Sequence, residues 1–324
     1  MISIEDIEAA AKRLRGVAVK TPLLQNAELD RIAGGTVLIK PECFQSIGSF
    51  KIRGAYNLLC QLSPEQAKRG VVAWSSGNHA QGVALAGKLL GIHAAIVMPE
   101  DAPSAKLSNT RRLGGEVITY DRYSGDREAI ARGIAAERGA ELVPSYDDPR
   151  IVAGQGTVGL EIAEQSIELG LPVDQALVNC GGGGLVSGCA VALRARLPDI
   201  EIYTVEPEHF DDTARSLAAG NRVSNKESAR TICDALLADM PGKIPFEILY
   251  ELASGGLVVS DEEVRQAMRF AFQKLKIVVE PGGAVALAAV LTGKIDTAGK
   301  TTAIIFSGGN VDTEQFASIQ SESA

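Results

Sequence analysis

The stretch of sequence that decides the fold is Ala176-Leu177-Val178-Asn179-Cys180-Gly181-Gly182-Gly183-Gly184-Leu185. Its apolar start indicates a buried strand over 176–179, and the residues after the glycines predict a helix over 185–196. Four glycines at such a junction leave backbone N–H groups free at the start of a helix, where an anion such as a phosphate is favoured. The alternative is a tightly packed turn without a ligand. The loop lacks the Walker spacing GxxxxGK[ST] and is a degenerate match to GxGxxG.

Short strands and amphipathic helices alternate on both sides of this loop. Further strands are predicted at 36–39, 71–74, 94–98, 116–120, 141–143, 201–205 and 302–306. Helices are predicted near 51–61, 78–90, 104–113, 125–138, 156–169, 261–275 and 282–292, whereas 207–260 shows no regular pattern. This order predicts an α/β protein with open, mostly parallel twisted sheets and helices on both faces. We expect two domains: a large one of residues 1–68 plus 148–324, and a small mobile α/β domain of residues 69–147.

The composition excludes several classes of protein. The chain has 324 residues, 46% of them hydrophobic and 22% charged, which is typical of a globular protein and not of a disordered one. A net charge of −8 without a Lys/Arg block argues against a nucleic-acid partner. Five scattered cysteines without CxxC spacing, an acidic N-terminus and the lack of a long apolar run predict a reduced cytoplasmic protein without membrane segments.

Three more glycine-bearing loops are predicted where ligands bind in α/β proteins. Ligands of open α/β sheets lie beyond the carboxyl ends of the strands, where loops meet helix N-termini. The loops with this placement are Ser75-Ser76-Gly77-Asn78-His79, Pro281-Gly282-Gly283 and Ser307-Gly308-Gly309-Asn310. We therefore expect these loops to lie close to Gly181–Gly184.

Lys51 is at an unfavourable position, the start of the predicted helix 51–61. The helix dipole disfavours a cation at this end, and such local inconsistencies are frequent at functional sites. A desolvated lysine here would have a lowered pKa and would act as a nucleophile or base. A solvated surface lysine is the alternative on these grounds alone.

Glu206 and Asp212 follow the strand predicted at 201–205 and offer two hard oxygen ligands. A main-chain carbonyl between them would complete a site for Mg²⁺ or Ca²⁺. A solvated acidic turn that includes Asp211 is the other interpretation.

Taken together, the motifs resemble those of the serine/threonine dehydratases and serine racemases, which are pyridoxal-phosphate enzymes of fold type II, the tryptophan-synthase-β type. The resemblance extends in order from about Thr21 to Asp312. It rests on Ser49-Phe50-Lys51-Ile52-Arg53-Gly54-Ala55, Ser75-Ser76-Gly77-Asn78-His79, Ala153-Gly154-Gln155-Gly156-Thr157, Gly181–Gly184, Glu206-Pro207 and Ser307-Gly308-Gly309-Asn310.

The resemblance implies a role for each matching residue. Lys51 would hold pyridoxal 5'-phosphate as a Schiff base, with Phe50 against the pyridine ring. The other cofactor contacts would come from Gly181, Gly182, Gly183, Gly184 and Leu185 at the phosphate, Asn78 at the ring 3' oxygen and Ser307 at the pyridine nitrogen. The substrate carboxylate would be received by Ser75, Ser76, Asn78 and His79. Ser76 would also deliver a proton on the face opposite Lys51, and Mg²⁺ (or Ca²⁺ or Mn²⁺) would be bound by Glu206, Asp212 and the carbonyl of Phe210.

The activity implied is a dehydratase, or ammonia-lyase, that converts L-threonine or L-serine into a 2-oxo acid and ammonia. A serine racemase and an L-threo-3-hydroxyaspartate dehydratase would use the same residues. Arg127 would bind the second carboxylate of hydroxyaspartate, or would be an exposed helix arginine. The family often has glycine where this chain has Ala235, beside the cofactor ring. A homodimer is expected from the resemblance.

Two hypotheses from other classes are less favoured, and the Ser49–Arg53 and Ser75–His79 motifs argue against the first of them. The first is β-replacement, as in cysteine synthases, which share the fold but carry different residues around the lysine and the asparagine loop. The second is a small-molecule or nucleotide sensor that uses the glycine loop without catalysis.

Overall fold

The computed structural model of the chain describes residues 2–102, 104–121, 125–226 and 228–322. Within these ranges the strands are β1 (Thr36–Pro41), β2 (Val71–Trp74), β3 (Ala94–Pro99), β4 (Glu116–Tyr120), β5 (Glu141–Leu142), β6 (Gln175–Asn179), β7 (Glu201–Pro207), β8 (Gly255–Val259) and β9 (Thr301–Phe306). The helices are α1 (Ile4–Arg13), α2 (Ala27–Ala33), α3 (Lys51–Leu59), α4 (Pro64–Arg69), α5 (Asn78–Leu90), α6 (Ser104–Arg112), α7 (Arg127–Arg138), α8 (Pro149–Glu168), α9 (Gly184–Arg196), α10 (Asp212–Ala219), α11 (Lys243–Leu252), α12 (Asp261–Phe270), α13 (Pro281–Leu291) and α14 (Thr313–Ser321).

The strands form two parallel sheets, which confirms the predicted fold class. The larger sheet has the order β1-β9-β6-β7-β8, and the smaller one has the order β4-β3-β2-β5. Every pair of neighbouring strands in these two sheets is parallel. Because parallel strands share one carboxyl edge, the loops that follow β2, β6 and β9 gather at the edges of the two sheets.

The core of the larger sheet is built around α13. Every residue from Pro281 to Val290 is buried, since this helix is apolar on all sides and packs against Leu177, Ile304 and Phe306 of the sheet. A helix that is apolar all round lies in a protein core or in a membrane, and this one, with 11 residues, is enclosed in the core. No helix in the described ranges is long and apolar enough to cross a bilayer.

Helices α3 and α8 cross at very short distance, and glycine makes this possible. A Cβ on Gly154 would lie 2.7 Å from the Cα of Gly54, and a Cβ on Gly54 would lie 2.4 Å from the amide nitrogen of Gln155. Gln155 also accepts a hydrogen bond from the backbone N–H of Gly54 at 3.1 Å. The glycines of two of the sequence motifs therefore bring two helices together and so position the start of α3, where Lys51 lies.

A buried charge cluster orients the same helix. Arg53 is 1% exposed and donates to both oxygens of Glu42 at 2.8 and 2.9 Å. It also donates to both oxygens of Glu161 on α8 at 2.7 and 2.9 Å. Lys40 pairs with Glu161 at 2.7 Å, so two cations face two carboxylates. Paired in this way, buried charges specify one arrangement of the helix, because any other would leave a charge uncompensated.

Two predicted helices and one segment predicted to be irregular need correction. Helix α8 begins at Pro149 and not near 156, because Asp148 caps it through the N–H groups of Arg150 and Ile151 and proline suits the first helical position. The helix predicted over 261–275 is α-helical only to Phe270 and ends in a π turn, Ala271–Leu275.

The segment 207–260, expected to be irregular, contains α10, α11 and the edge strand β8. Strand β8 was missed because it starts with Gly255 and Gly256, which have low strand propensity. Gly256 is required there, since a Cβ would lie 2.8 Å from the Cα of Ala214. The smaller sheet lies within residues 69–147, while the bounds of the two expected domains stay a prediction.

Candidate active site

The glycine-bearing loops converge on one cavity of about 1620 Å³, which residues of both sheets line. The sequence-predicted residues on its wall are Phe50, Lys51, Ser75, Ser76, Asn78, His79, Arg127, Gly181–Leu185, Ala235 and Ser307. The carboxylate pair Glu206 and Asp212 is not part of this wall. Three of the four predicted glycine-bearing loops therefore contribute residues to this cavity wall, and the fourth, Pro281-Gly282-Gly283, adjoins it through Glu280.

Lys51 lies on the cavity wall as the first residue of α3. The preceding residues pair with the loop after β9, since the N–H of Phe50 donates to the carbonyl of Ser307 at 3.2 Å. The Nζ of Lys51 donates to the carbonyl of Ser145 at 2.9 Å and lies 5.2 Å from the centre of the Phe50 ring. Burial lowers the pKa of Lys51 to about 8, although the charge of Glu280 opposes this change. This environment is that of a base or nucleophile, and not that of a solvated surface lysine.

The glycine loop Gly181–Gly184 ends at the N-terminus of α9. Gly183 is the N-cap of this helix, with φ at 89°, in the left-handed region that glycine adopts readily, and no side chain caps the helix. A Cβ on Gly182 would lie 2.3 Å from the ring of Tyr146, and one on Gly184 would lie 2.8 Å from the same residue. The free N–H groups of this helix start and the absence of side chains make the loop suitable for a phosphate.

A second uncapped helix start faces the cavity at α5. Its N-cap is Gly77, which has no side chain to accept the free N–H groups. Ser75 and Ser76 lie just before it and are partly exposed in the cavity. A substrate carboxylate is the kind of anion that such a helix start stabilises.

His79 is predicted to bind the substrate carboxylate, but one nitrogen of its imidazole already forms a hydrogen bond within the protein. Its Nε2 lies 2.9 Å from the carbonyl of Val143, and Nδ1 has no partner among the described residues. Burial and the charge of Lys51 lower the pKa of His79 to about 3. The ring is therefore neutral at physiological pH and offers no cationic partner to a carboxylate.

Asn78 and Ser307 lie in hydrogen-bond networks at the cavity wall. The amide nitrogen of Asn78 donates to Glu280 at 2.6 Å, and its oxygen accepts from Asn310 at 2.6 Å. The hydroxyl of Ser307 is 3.3 Å from the amide nitrogen of Asn179, which also donates to the carbonyl of Gly282 at 2.7 Å. Both side chains are thus held in fixed positions before any ligand binds.

Arg127 is the first residue of α7 and is exposed on the cavity wall. Within the described ranges no carboxylate pairs with it, whereas Arg132 on the same helix pairs with Glu128. A cation is again at the unfavourable end of a helix. Ala235 lies across the cavity beside Gly282, where a Cβ on Gly282 would be 3.1 Å from the Ala235 methyl group.

Glu206 and Asp212 are both buried, at the end of β7 and the start of α10. Glu206 accepts the N–H groups of Thr213 and Ala214 at 2.8 Å each. Burial and the charge of Asp212 raise the pKa of Glu206 well above its usual range, and burial raises the pKa of Asp212 to about 6. The Oδ2 of Asp212 has no hydrogen-bond partner in the described structure. Two buried carboxylates with an unpartnered oxygen fit a divalent cation, although no group of three His, Cys, Asp or Glu side chains is present in the described residues.

The sequence reasoning missed three residues of the cavity wall: Ser145, Tyr146 and Glu280. Ser145 binds Lys51, Tyr146 packs on the glycine loop, and Glu280 binds Asn78. Only Glu280 had a signal in the sequence, since it is an acid directly before Pro281-Gly282-Gly283 at a helix start. The other two precede α8, where nothing in the local pattern indicates the distant loops that they contact.

The fold and the cavity define a class of protein, and comparison with known families identifies it. The model of the pyridoxal-phosphate dependent enzymes matches residues 14–308. The chain belongs to this family, and its structural neighbours are enzymes of fold type II.

The relatives have three different activities. An L-threo-3-hydroxyaspartate ammonia-lyase from a Pseudomonas species is 46% identical over 98% of this chain and 98% of its own length. An L-threonine ammonia-lyase from Thermotoga maritima is 42% identical over 96% of this chain and 76% of its own. The solved structure of maize serine racemase is 39% identical in sequence and superimposes with a TM-score of 0.92. The match covers 98% of this chain and 96% of the maize chain. The chain is therefore a pyridoxal-phosphate enzyme related to ammonia-lyases and racemases of small amino acids.

Proposed function

We propose that this protein is a pyridoxal-phosphate-dependent ammonia-lyase that acts on L-threonine or L-serine. The reaction removes the Cα proton and the Cβ hydroxyl as water, and hydrolysis of the resulting imine then gives a 2-oxo acid and ammonia. The observation that carries the proposal is Lys51, a lysine of lowered pKa in a cavity where two uncapped helix starts meet.

The residues present fit the cofactor. Gly181–Gly184 would hold its phosphate at the start of α9, where a side chain on any of the last three glycines would collide with Tyr146 or Pro245. Phe50 would lie against the ring, Asn78 would reach the ring oxygen and Ser307 the pyridine nitrogen. When bound, the cofactor withdraws electrons from the substrate Cα, so that a proton can leave it.

The chain's own groups would then handle the proton. Lys51 is the base, since burial leaves a large share of its amine neutral near pH 8. The N-terminus of α5, with Ser75 and Ser76, binds the substrate carboxylate and so orients the Cα–H bond towards Lys51. Ser76 is proposed to deliver a proton on the opposite face, and this step would invert Cα and give racemase activity.

A second candidate substrate is L-threo-3-hydroxyaspartate, which the position of Arg127 favours. An arginine on the wall of a substrate cavity, without a carboxylate partner among the described residues, is suited to the second carboxylate of this substrate. The relative with 46% identity bears the name of this activity.

The two candidate substrates are distinguished by one variant. We expect Arg127→Ala to reduce kcat/KM for hydroxyaspartate by about 10²-fold or more, because a charge-assisted bidentate contact of roughly 3 kcal/mol is lost. Turnover of threonine should change less than about threefold. Arg138→Ala is the matched control, since Arg138 lies at the far end of α7 and pairs with Glu116 on the surface. Equal loss on both substrates would contradict this role of Arg127.

A divalent cation is proposed at Glu206, Asp212 and the carbonyl of Phe210. The support is the unpartnered, buried Oδ2 of Asp212 and the mutual repulsion of the two carboxylates, which a cation would remove. Mg²⁺ should raise the thermal midpoint of the protein, and Asp212→Asn should abolish this increase.

Ammonia release tests the proposed reaction most directly. The substrates are L-threonine, L-serine, D-serine and L-threo-3-hydroxyaspartate, each with Mg²⁺ and with chelator, and Lys51→Ala serves as the inactive control. We expect ammonia from threonine or serine and none from Lys51→Ala. Turnover of hydroxyaspartate alone would move the assignment to that substrate, and racemisation of serine without ammonia would contradict the lyase assignment. Formation of a thioether or thiol product with sulfide present would indicate β-replacement instead.

A further inference from the structure

Glu280 is a buried carboxylate on the cavity wall that the expected catalytic residues do not include. It directly precedes α13 and is 3% exposed. Its Oε1 accepts a hydrogen bond from the amide nitrogen of Asn78 at 2.6 Å. Gly308 makes room for it, since a Cβ there would lie 2.2 Å from the same carboxylate oxygen.

Glu280 is the last member of a chain of hydrogen bonds that fixes the orientation of two amides. The carbonyl of Ile47 accepts from the amide nitrogen of Asn310 at 2.8 Å, and this nitrogen also donates to the oxygen of Asn78 at 2.6 Å. The nitrogen of Asn78 is thereby turned towards Glu280. If Asn78 were flipped, its oxygen would face a carboxylate and its nitrogen would face another amide nitrogen, and both contacts are unfavourable.

The second N–H of Asn78 is left without a partner among the described residues, on a side chain that lines the cavity. We propose that Glu280 is a positioning residue, which holds Asn78 so that this N–H faces the ring hydroxyl of bound pyridoxal phosphate. The inference rests on the proposed position of the cofactor beside Asn78. Glu280 itself acts through Asn78 and needs no contact with the substrate.

Glu280 contributes both a negative charge and a hydrogen-bond acceptor for Asn78, and two variants separate these contributions. The charged and titratable groups that act on it from the surrounding elements are Lys51 of α3, Lys106 of α6, Asp234, Cys43 and Cys233. Burial and the charge of Asp234 raise the pKa of Glu280 to about 7, while Asn78 and Lys106 oppose this change. Glu280→Gln retains an acceptor oxygen for Asn78 without the charge, whereas Glu280→Ala removes both.

The experiment measures the affinity of the dialysed protein for pyridoxal phosphate. Trp74 is the single tryptophan and lies on the cavity wall, so quenching of its fluorescence reports binding. We expect Glu280→Ala and Asn310→Ala each to raise the Kd for the cofactor by about tenfold, the effect of losing one hydrogen bond to a charged or fixed partner. Glu280→Gln should keep the Kd within about threefold.

The pH profile gives a second readout. Loss of the negative charge near Lys51 should move the pH midpoint of the cofactor's visible absorbance to lower pH in Glu280→Gln. Glu263→Ala is the control, because Glu263 lies on α12 away from the cavity and pairs with Lys294. This control should change neither the Kd nor the midpoint.

Two results would overturn the inference. A wild-type Kd in Glu280→Ala, with or without a lower thermal midpoint of the cofactor-free protein, would show that Glu280 does not position Asn78. An equal loss of affinity in Glu280→Gln and Glu280→Ala would show that charge alone acts. Failure of the proposed function is recognised separately, because the unaltered protein would then release no ammonia from threonine or serine while the differences in cofactor Kd among the Glu280 variants remain.

Discussion

Lys51 shows how the cavity changes the chemistry of a single residue. The side chain is partly exposed, but only in the cavity, and the loss of hydration lowers its pKa from 10.5 to about 8. The surrounding loops hold it through the carbonyl of Ser145 and not through a carboxylate. An amine in this state is available as a base near neutral pH, which an ordinary lysine is not.

The stability of the cofactor-free protein should reflect this lowered pKa. Between about pH 8 and 10.5 the unfolded chain binds more protons than the folded one, so the free energy of unfolding should increase with pH. Lys51→Met should stabilise the cofactor-free protein at pH 7 by no more than about 3 kcal/mol, and this gain should disappear by about pH 10.5. Urea unfolding at several pH values measures it, with the exposed Lys68→Met as control. A gain that does not depend on pH would contradict the explanation.

Glycines allow the helices around the cavity to pack closely, and this close packing positions the residues of the site. Helices α3 and α8 touch through Gly54 and Gly154, and the start of α9 lies against Tyr146 through Gly182 and Gly184. A Cβ at any of these four positions would lie 2.8 Å or less from an atom of the facing element. The cluster of Arg53, Glu42 and Glu161 then sets the rotation of α3.

Two glycines in helix-forming segments should respond in opposite ways to alanine. Gly183→Ala should lower the free energy of unfolding by about 1–3 kcal/mol, because φ is 89° and a Cβ would lie 2.8 Å from Pro245. Gly133→Ala in the middle of α7 should raise it by about 0.5–1 kcal/mol, since nothing lies within 4 Å and alanine favours the helix. Urea unfolding measures both changes, and Trp74 quenching should show weaker cofactor binding only in Gly183→Ala. Stabilisation by Gly183→Ala would mean that the loop is not held as described.

At the scale of the whole molecule, the cavity is the space between two sheets. An ion pair spans it, since Lys106 of α6 lies 2.7 Å from Asp234 at the start of the 3₁₀ turn Asp234–Leu236. Lys106 belongs to the expected small domain and Asp234 to the large one. Closure of one unit on the other would exclude water from the reacting groups.

Removing this ion pair should affect substrate binding more than folding. Asp234→Asn should change the free energy of unfolding by less than about 1 kcal/mol, as usual for an exposed pair. It should raise the KM by up to about fivefold at low ionic strength, and the increase should vanish in about 1 M salt. The control is Glu116→Gln, which breaks a pair with Arg138 away from the cavity. An increase in KM that persists at high salt would contradict an electrostatic role.

Much of this protein can be predicted from the sequence by itself. Alternating strands and helices predict the α/β class, because the hydrophobic periodicity of each segment is a local property. Glycine loops at strand ends predict an anion site for the same reason. Lys51, Asn78, Gly181–Gly184 and Ser307 could be named in advance because they lie in short motifs that resemble those of a known family. The homodimer stays a prediction from this resemblance, and the cytoplasmic location stays a prediction from the pattern of cysteines.

Only the tertiary structure could decide the rest, because it depends on residues that are far apart in the chain. The contact of Glu280 with Asn78 joins residues 202 positions apart, and Ser145 meets Lys51 across 94 positions. The lowered pKa of Lys51 and the neutral state of His79 come from burial, which a local pattern does not measure. Residue types and their spacing thus determine the class of fold and an anion site, and the resemblance of the motifs to a known family adds the cofactor. Long-range packing determines how each group in the cavity is oriented and charged.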